Sequence, residues 1–179
     1  LLTHEIFVFF DRACYNDTME NCLSFPPVCA PDARVLVLGS MPGVASLNAR
    51  QYYAHPRNAF WPVMAEILGS EPLQTDEDKA RLLIRHGIAV WDVAHSCVRP
   101  GSLDSSIREP EPNDIPALLK RCPGIRKILF NGATAENLYR KLVGKAPCET
   151  ARMPSTSPAY TMPYSEKCAI WRKNMEDIL

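Results

Sequence analysis

The sequence predicts an α/β fold in which a parallel sheet is held between layers of helix. Short aliphatic runs recur at Arg34 to Leu38, Ile88 to Val93 and Arg126 to Phe130, with a shorter one at Cys148 to Met153. Between them lie stretches with apolar residues at helical spacing, and strands that alternate with helices build a parallel sheet buried on both faces. The chain has 179 residues, 46% of them hydrophobic. That is enough for one domain with a full core, and it excludes a disordered class.

In order along the chain, Leu23 to Asp32 is rich in proline and predicts an extended lead-in lying over the domain. The first aliphatic run, Arg34 to Leu38, follows as a strand. Phe60, Met64 and Ile67 or Leu68 recur at helical spacing, and Gly69 stops that helix. Thr75 followed three residues later by Asp78 resembles a capping box for the next helix, which carries Leu82 and Leu83 and ends at Gly87. Ile88 to Val93 is the second strand. His95 to Asn113, with Pro100, Gly101, Pro110 and Pro112, is expected to be a long loop, and such loops in compact domains are usually functional. Asn113 is expected to cap a helix through Leu118 and Leu119 that Gly124 closes. Arg126 to Phe130 is the third strand, and Asn131-Gly132 turns into a helix from Ala133 to Val143. Pro154 to Pro163 is a second rigid loop, and a closing helix carries Cys168, Trp171 and Met175 on one stripe.

The two ends of the composition narrow the function classes. Lys plus Arg and Asp plus Glu number 20 each, so a nucleic-acid partner would have to be met by a local basic face. The seven cysteines are scattered, with no C-x-x-C pair, which removes zinc and iron–sulfur spacing and leaves free thiols as the expectation. No metal or other cofactor is expected. No apolar run is long enough to span a membrane, and Ile6 to Phe10 lacks the flanks of a signal peptide. Met19 is a candidate start, so residues 1–18 are expected to be a loosely attached, functionally silent extension and 19–179 the folded domain.

The stretch with the most chemistry is Gly39 to Trp61, GSMPGVASLNARQYYAHPRNAFW. It leaves the carboxyl end of a buried strand, where open α/β sheets place their ligand sites. Gly39 and Gly43 bracket Pro42 and let backbone approach a ligand closely. Ser40 lies after a strand, but no G-x-S-x-G elbow surrounds it, and His55, His86 and His95 show no pairing with it. The P-loop and dinucleotide fingerprints are both missing. Asn58 reads either as the cap of the helix that follows or as a catalytic amide, and the two roles are compatible. Tyr52 and Tyr53 read either as half-buried aromatics or as a stacking wall for an extruded base.

Five segments in order, GSMPG, YYAHPRNAFW, VWDVAHSC-x-RPGSLDSSI, FNGATA and MPSTSPA, resemble the uracil-DNA glycosylase superfamily, and within it the hypoxanthine-DNA glycosylase branch. The resemblance runs from about Phe25 to the C-terminus. It implies a three-layer α/β/α sandwich with a central four-stranded parallel sheet. It implies a monofunctional glycosylase that removes hypoxanthine from DNA by hydrolysis in base excision repair, leaving an abasic site. No lysine sits in either motif loop to form a Schiff base. Uracil or xanthine is the alternative base, and a non-catalytic nucleic-acid or nucleotide-binding domain is the alternative class.

The resemblance also assigns roles. Asn58, Ser40, Met41 and His55 form the catalytic set, with Ser40 and Met41 acting through their backbone amides. Where relatives carry Asp or Asn at the third position of the first motif, this chain has Met41, and where many carry His or Asn in the second, it has Met153. Tyr52, Tyr53, Phe60 and Asp92 are expected to hold the base. Asp92 aligns with the Asn that reads uracil in relatives; ionised, it would accept from N1–H of hypoxanthine but repel O6. Ser155, Thr156, Ser157 and Pro158 are expected to clamp the DNA backbone, and Tyr160 or Met162 to wedge into the stack. Arg99 heads the phosphate contacts, with Arg50, Arg57, Arg108, Arg152 and Lys167 behind it, although each alone reads first as a solvated surface charge. The implied partner is double- or single-stranded DNA containing a deaminated base, with no membrane, met by a monomer in the cytoplasm or wherever the genomic DNA lies.

Overall fold

The computed structural model describes residues 21–176. The expected extension at residues 1–18 lies outside them. Four parallel strands form the central sheet in the order β3-β2-β6-β7: β2 Val35–Gly39, β3 Ile88–Asp92, β6 Lys127–Asn131 and β7 Glu149–Met153. Every residue of β2 and β3 is buried. Successive strand residues point to opposite faces, so both faces of the sheet are covered. Helices supply the cover: α1 Val44–Ala49, α2 Phe60–Ile67, α3 Asp76–Arg85, α4 Ile115–Arg121, α5 Ala133–Leu142 and α6 Tyr164–Met175. This is the expected three-layer α/β/α sandwich with its four-stranded parallel sheet. Among the described residues no helix is long and apolar enough to cross a membrane.

Local signals place most of these elements. The capping box forms: the Thr75 hydroxyl accepts from Asp78 N–H, and the Asp78 carboxylate accepts from Thr75 N–H. Gly69 follows α2 at a φ of 62°, a left-handed value that suits glycine. Cys168, Trp171 and Met175 form the buried stripe of α6. The six cysteines among the described residues are free.

Two expectations are corrected. The stretch from His95 to Asn113 is not a loop throughout. It contains β4 Ala94–Val98, a short 3-10 turn at Asp104–Ser106 and β5 Arg108–Pro112. With β1 Asn21–Leu23 these strands make a second, antiparallel sheet in the order β1-β4-β5. Pro110 and Pro112 are tolerated because β5 is an edge strand, where a missing N–H costs no ladder bond. Asn113 does not cap α4; Asp114 does, its carboxylate accepting from Ala117 N–H at 3.0 Å. The Asn113 amide instead donates to the carbonyls of Asp92 at 2.9 Å and Ala94 at 3.1 Å, which fixes the carboxyl end of β3.

Candidate functional site

Each of the three tryptophans pins a loop at the carboxyl ends of the strands by donating its indole N–H to a loop carbonyl. Trp61 bonds Tyr52 O at 2.8 Å, Trp91 bonds Phe25 O at 2.8 Å and Trp171 bonds Pro154 O at 3.0 Å. An apolar ring and a single donor suit a residue that anchors a loop to a core. The first and last of these loops also touch directly, through Ala59 N–H and Thr156 O at 2.9 Å.

At the tip of β2, Gly39 pairs in register with Asp92 of β3. The Asp92 carboxyl lies over the bare Cα of Gly39: a Cβ there would fall 2.3 Å from Asp92 Oδ1 and 3.2 Å from the Tyr53 hydroxyl. Glycine is required because two polar groups already occupy the space a side chain would need. Asp92 is 3% exposed, and both its Oδ2 and the Tyr53 hydroxyl are buried without a hydrogen-bond partner among the described residues. Burial, and then the nearby Asp104 carboxylate, push the Asp92 carboxyl up to about 8 against the opposing pull of Arg99. Burial and Asp92 also hold the Tyr53 phenol well above its ordinary range.

Tyr53 connects this carboxyl to Asn58. Its backbone is left-handed, at a φ of 56°, a conformation that costs a tyrosine about 1–2 kcal/mol. That inversion lays its ring on Phe60, with centroids 4.0 Å apart and planes at 28°. The Asn58 side chain accepts the N–H of the same Phe60 at 2.9 Å through Oδ1. Its Nδ2 has no acceptor among the described residues, so the amide presents donors. His55 Nδ1 accepts from Arg57 N–H at 3.1 Å, which places the proton of a neutral ring on Nε2. Met41 sends its side chain into a small cluster with Leu47, Ala94 and Cys97. The N–H groups of Ser40 and Met41 find no acceptor among the described residues.

The Ser40 hydroxyl donates to Asp104 Oδ1 at 2.8 Å. Its partner is therefore a carboxylate rather than a histidine, and the geometry does not support a serine nucleophile. Sequence reasoning missed Asp104. It also missed Asn131, whose side chain holds Thr156 twice: Nδ2 donates to the hydroxyl and Oδ1 accepts the N–H, both at 2.8 Å.

Several residues expected at the site are placed elsewhere. Tyr52 is buried against Phe25, its hydroxyl at 3.2 Å from the carbonyls of Phe25 and Pro26, so it supports the loop and walls no pocket. Phe60 is fully buried behind Tyr53. Arg99 is 1% exposed and donates Nε to Gly101 O at 3.0 Å and Nη2 to Pro42 O. It cross-links the two loops from inside, with Nη1 buried and without a hydrogen-bond partner among the described residues. Thr156 is buried under Asn131, while Ser155 and Ser157 are half-buried and Pro158 is exposed. The Ser155 hydroxyl accepts from Ser157 N–H at 3.2 Å. Tyr160 is exposed at 44%, with Lys167 beneath its ring at 5.6 Å. Lys167 itself is buried, and Arg152 pairs with Glu136. Arg50, Arg57 and Arg108 remain exposed. No group of three or more His, Cys, Asp or Glu among the described residues is placed to hold a metal ion.

Comparisons with known proteins agree in direction. The family model of the Uracil DNA glycosylase superfamily matches residues 26–178. A Hypoxanthine DNA glycosylase from Methanosarcina barkeri is 36% identical over 137 residues, 75% of this chain and 85% of that protein. A second, from Methanosarcina acetivorans, is 38% identical over the same shares. The solution NMR structure of a candidate uracil DNA glycosylase from Methanosarcina acetivorans superposes with a TM-score of 0.71. It is 34% identical, over 86% of this chain and 98% of that one.

Proposed function

The chain belongs to the uracil DNA glycosylase superfamily, and from that membership we propose that it hydrolyses the N-glycosidic bond of deoxyinosine in DNA. The observation that carries the reading is the strand-tip pair. Two buried polar atoms, Asp92 Oδ2 and the Tyr53 hydroxyl, are left without partners among the described residues, beside a glycine. Unsatisfied buried polar groups are costly, about 1–3 kcal/mol each, and a bound purine edge would satisfy them.

A base in a duplex is inaccessible and must be extruded. Deaminated adenine mispairs, so it leaves the stack at lower cost. The Tyr53 ring is backed by Phe60, which fixes its hydroxyl beside Asp92 for the edge of the extruded base. In the reaction the C1′–N9 bond breaks and its electron pair leaves with the base, while water adds to C1′. Charge therefore develops on the base, and fixed donors aimed at it lower the barrier. The free donors here are Asn58 Nδ2, the Ser40 and Met41 amides and His55 Nε2–H. Because Phe60 N–H occupies Asn58 Oδ1, Asn58 serves better as a donor to the departing base than as an acceptor that orients water. The DNA, double- or single-stranded, is engaged by one copy of the chain. Tyr160 and the half-buried serines lie along the DNA path, and Arg50, Arg57 and Arg108 supply its phosphate contacts.

The test uses duplexes carrying a single deoxyinosine, deoxyuridine or deoxyxanthosine, followed by alkaline cleavage of abasic sites. Breaks at deoxyinosine are expected. In Asn58→Ala they should slow by on the order of a hundredfold or more, the loss typical of one transition-state donor. Binding without breaks would instead make the protein a nucleic-acid-binding module, and full activity in Asn58→Ala would reduce Asn58 to a brace for the first N–H of α2, whose N-cap is Ala59.

A further inference from the structure

We infer that Asp92 works as a neutral carboxylic acid, its O–H donating to O6 of the extruded hypoxanthine while its other oxygen accepts from N1–H. This rests on the glycosylase reading above and assigns a specific role to the group that faces the base. Read as a carboxylate, Asp92 suits N1–H and repels O6. Read as an acid, it matches both.

The surroundings argue for the acid. Asp92 sits at the end of a central strand with every neighbour on the strand buried. No cation among the described residues forms an ion pair with it. Arg99 faces it from the loop after β4 and opposes the rise; Nε and Nη2 of that guanidinium are committed to the carbonyls of Gly101 and Pro42, and Nη1 is buried with no hydrogen-bond partner among the described residues. From the 3-10 turn comes a like charge, Asp104, whose bond goes to Ser40. From the first loop come Tyr53 and Tyr52, phenols whose own ionisation is suppressed by burial and by Asp92. On the β2 side there is only Gly39. A buried charge with no partner gives way to its neutral form, and the group is accordingly pushed up to about 8.

The chemistry argues the same way. The base departs with the electrons of the broken C1′–N9 bond, and its negative charge spreads onto O6. An ionised carboxylate at that edge would oppose the charge. An O–H donor would stabilise it, in a site too dry for water to do so. The proton stays on Asp92 through cleavage; the one released by the attacking water ends on the base. The same choice acts in specificity. A carboxylate would favour guanine, whose N1–H and N2–H₂ form a donor pair, whereas an acid takes the O6 and N1–H edge that hypoxanthine and guanine share, and guanine is held back by its pairing with cytosine in the duplex. Adenine is held back by its match with thymine in the duplex, which the mispaired hypoxanthine lacks.

The test is single-turnover cleavage of a deoxyinosine duplex from pH 6 to 9.5 by the wild type, Asp92→Asn and Asp92→Ala. Asn keeps a donor and an acceptor but has no proton to lose. The ratio of wild-type to Asp92→Asn rates, in which any ionisation of the substrate cancels, is expected to fall about tenfold per pH unit above about pH 8. Asp92→Ala should be slower than the wild type by a hundredfold or more at neutral pH. In parallel, the ¹³Cγ resonance of Asp92, assigned from its absence in Asp92→Asn, should titrate near 8 in the full chain. A constant ratio across the range, or a carboxyl that titrates near 4, overturns the inference while leaving the glycosylase reading intact. A wild-type protein that spares deoxyinosine at every pH overturns both.

Discussion

Asp92 makes a prediction about folding that is independent of the reaction. Its carboxyl is raised from an ordinary 3.8 to about 8 in the folded protein. Between those values the unfolded chain has released the proton and the folded chain still holds it. Unfolding therefore releases a proton, and stability falls as pH rises from about 4, levelling off above about 8. Each unit of separation is worth about 1.4 kcal/mol, so Asp92 costs the fold roughly 4 kcal/mol at pH 7 relative to pH 4. The group is fully buried, so solvent screening does not reduce that figure.

Asp92→Asn removes the titration and keeps the shape. Near pH 4 both side chains are neutral, and the two proteins differ only by the exchange of hydroxyl for amide. From there to pH 7 the variant should gain roughly 4 kcal/mol on the wild type, a relative rise in Tm on the order of 10 °C for a domain of this size. Glu66 and Asp78, whose carboxylates are lowered chiefly by hydrogen bonds, act equally in both proteins and cancel in the difference. Urea unfolding of the pair from pH 4.5 to 8.5 measures it directly. Parallel stability curves would show that Asp92 titrates normally in the folded state, and the account of its surroundings would be wrong.

Two further substitutions probe the strand tips. Gly39→Ala forces a Cβ to within 2.3 Å of Asp92 Oδ1; displacing that carboxyl by about 1 Å should cost on the order of a hundredfold in deoxyinosine cleavage, and wild-type rates would mean the carboxyl does not touch the base. Asn131→Ala strips both side-chain bonds from Thr156 and leaves its buried N–H unpaired. A loss of about 1–3 kcal/mol is expected in chemical denaturation, with faster hydrogen exchange across 154–160, and unchanged exchange there would show that the Trp171 and Ala59 bonds hold the second loop without Asn131.

The central sheet was legible because β2, β3 and most of β6 are apolar on both faces, a pattern with no competing reading once helical stretches separate the runs; β7, ETARM, is polar and mostly exposed and was placed by its position in the alternation. The turn at Thr75 was legible because a capping box is a local device. The antiparallel sheet was not. Its strands AHSCV and REPEP are polar, short and carry proline, and the pairing of β4 with β5 is broken by register shifts, so no alternation survives to be read. Arg99 shows a second limit: an arginine in a Pro-Gly loop looks like a surface charge, and only the carbonyls of Gly101 and Pro42 explain its burial. Asn113 and Asn131 were visible as polar residues at element ends, but their partners lie in other segments. Asp104 carried no spacing signal at all, since its link to Ser40 spans 64 residues.

Met41 and Met153 bear on how such a site can work. The family resemblance leads one to expect polar side chains at both positions, and the structure gives both methionines to the core. Water activation by a motif carboxylate is therefore not available from Met41, and a charged donor to the base is not available from Met153. On the reading proposed above, what remains is a set of fixed donors: two backbone amides, the Asn58 amide whose oxygen is tied to Phe60, the His55 ring N–H and the Asp92 acid. Each is held by a bond or by packing before substrate arrives, so little reorganisation is needed when charge develops on the base. A site of this kind stabilises the leaving group more than it activates water. On the reading proposed above it suits hypoxanthine, whose O6 would bring the departing charge to Asp92, and Gly39 is the residue whose missing side chain leaves the space that the Asp92 carboxyl occupies.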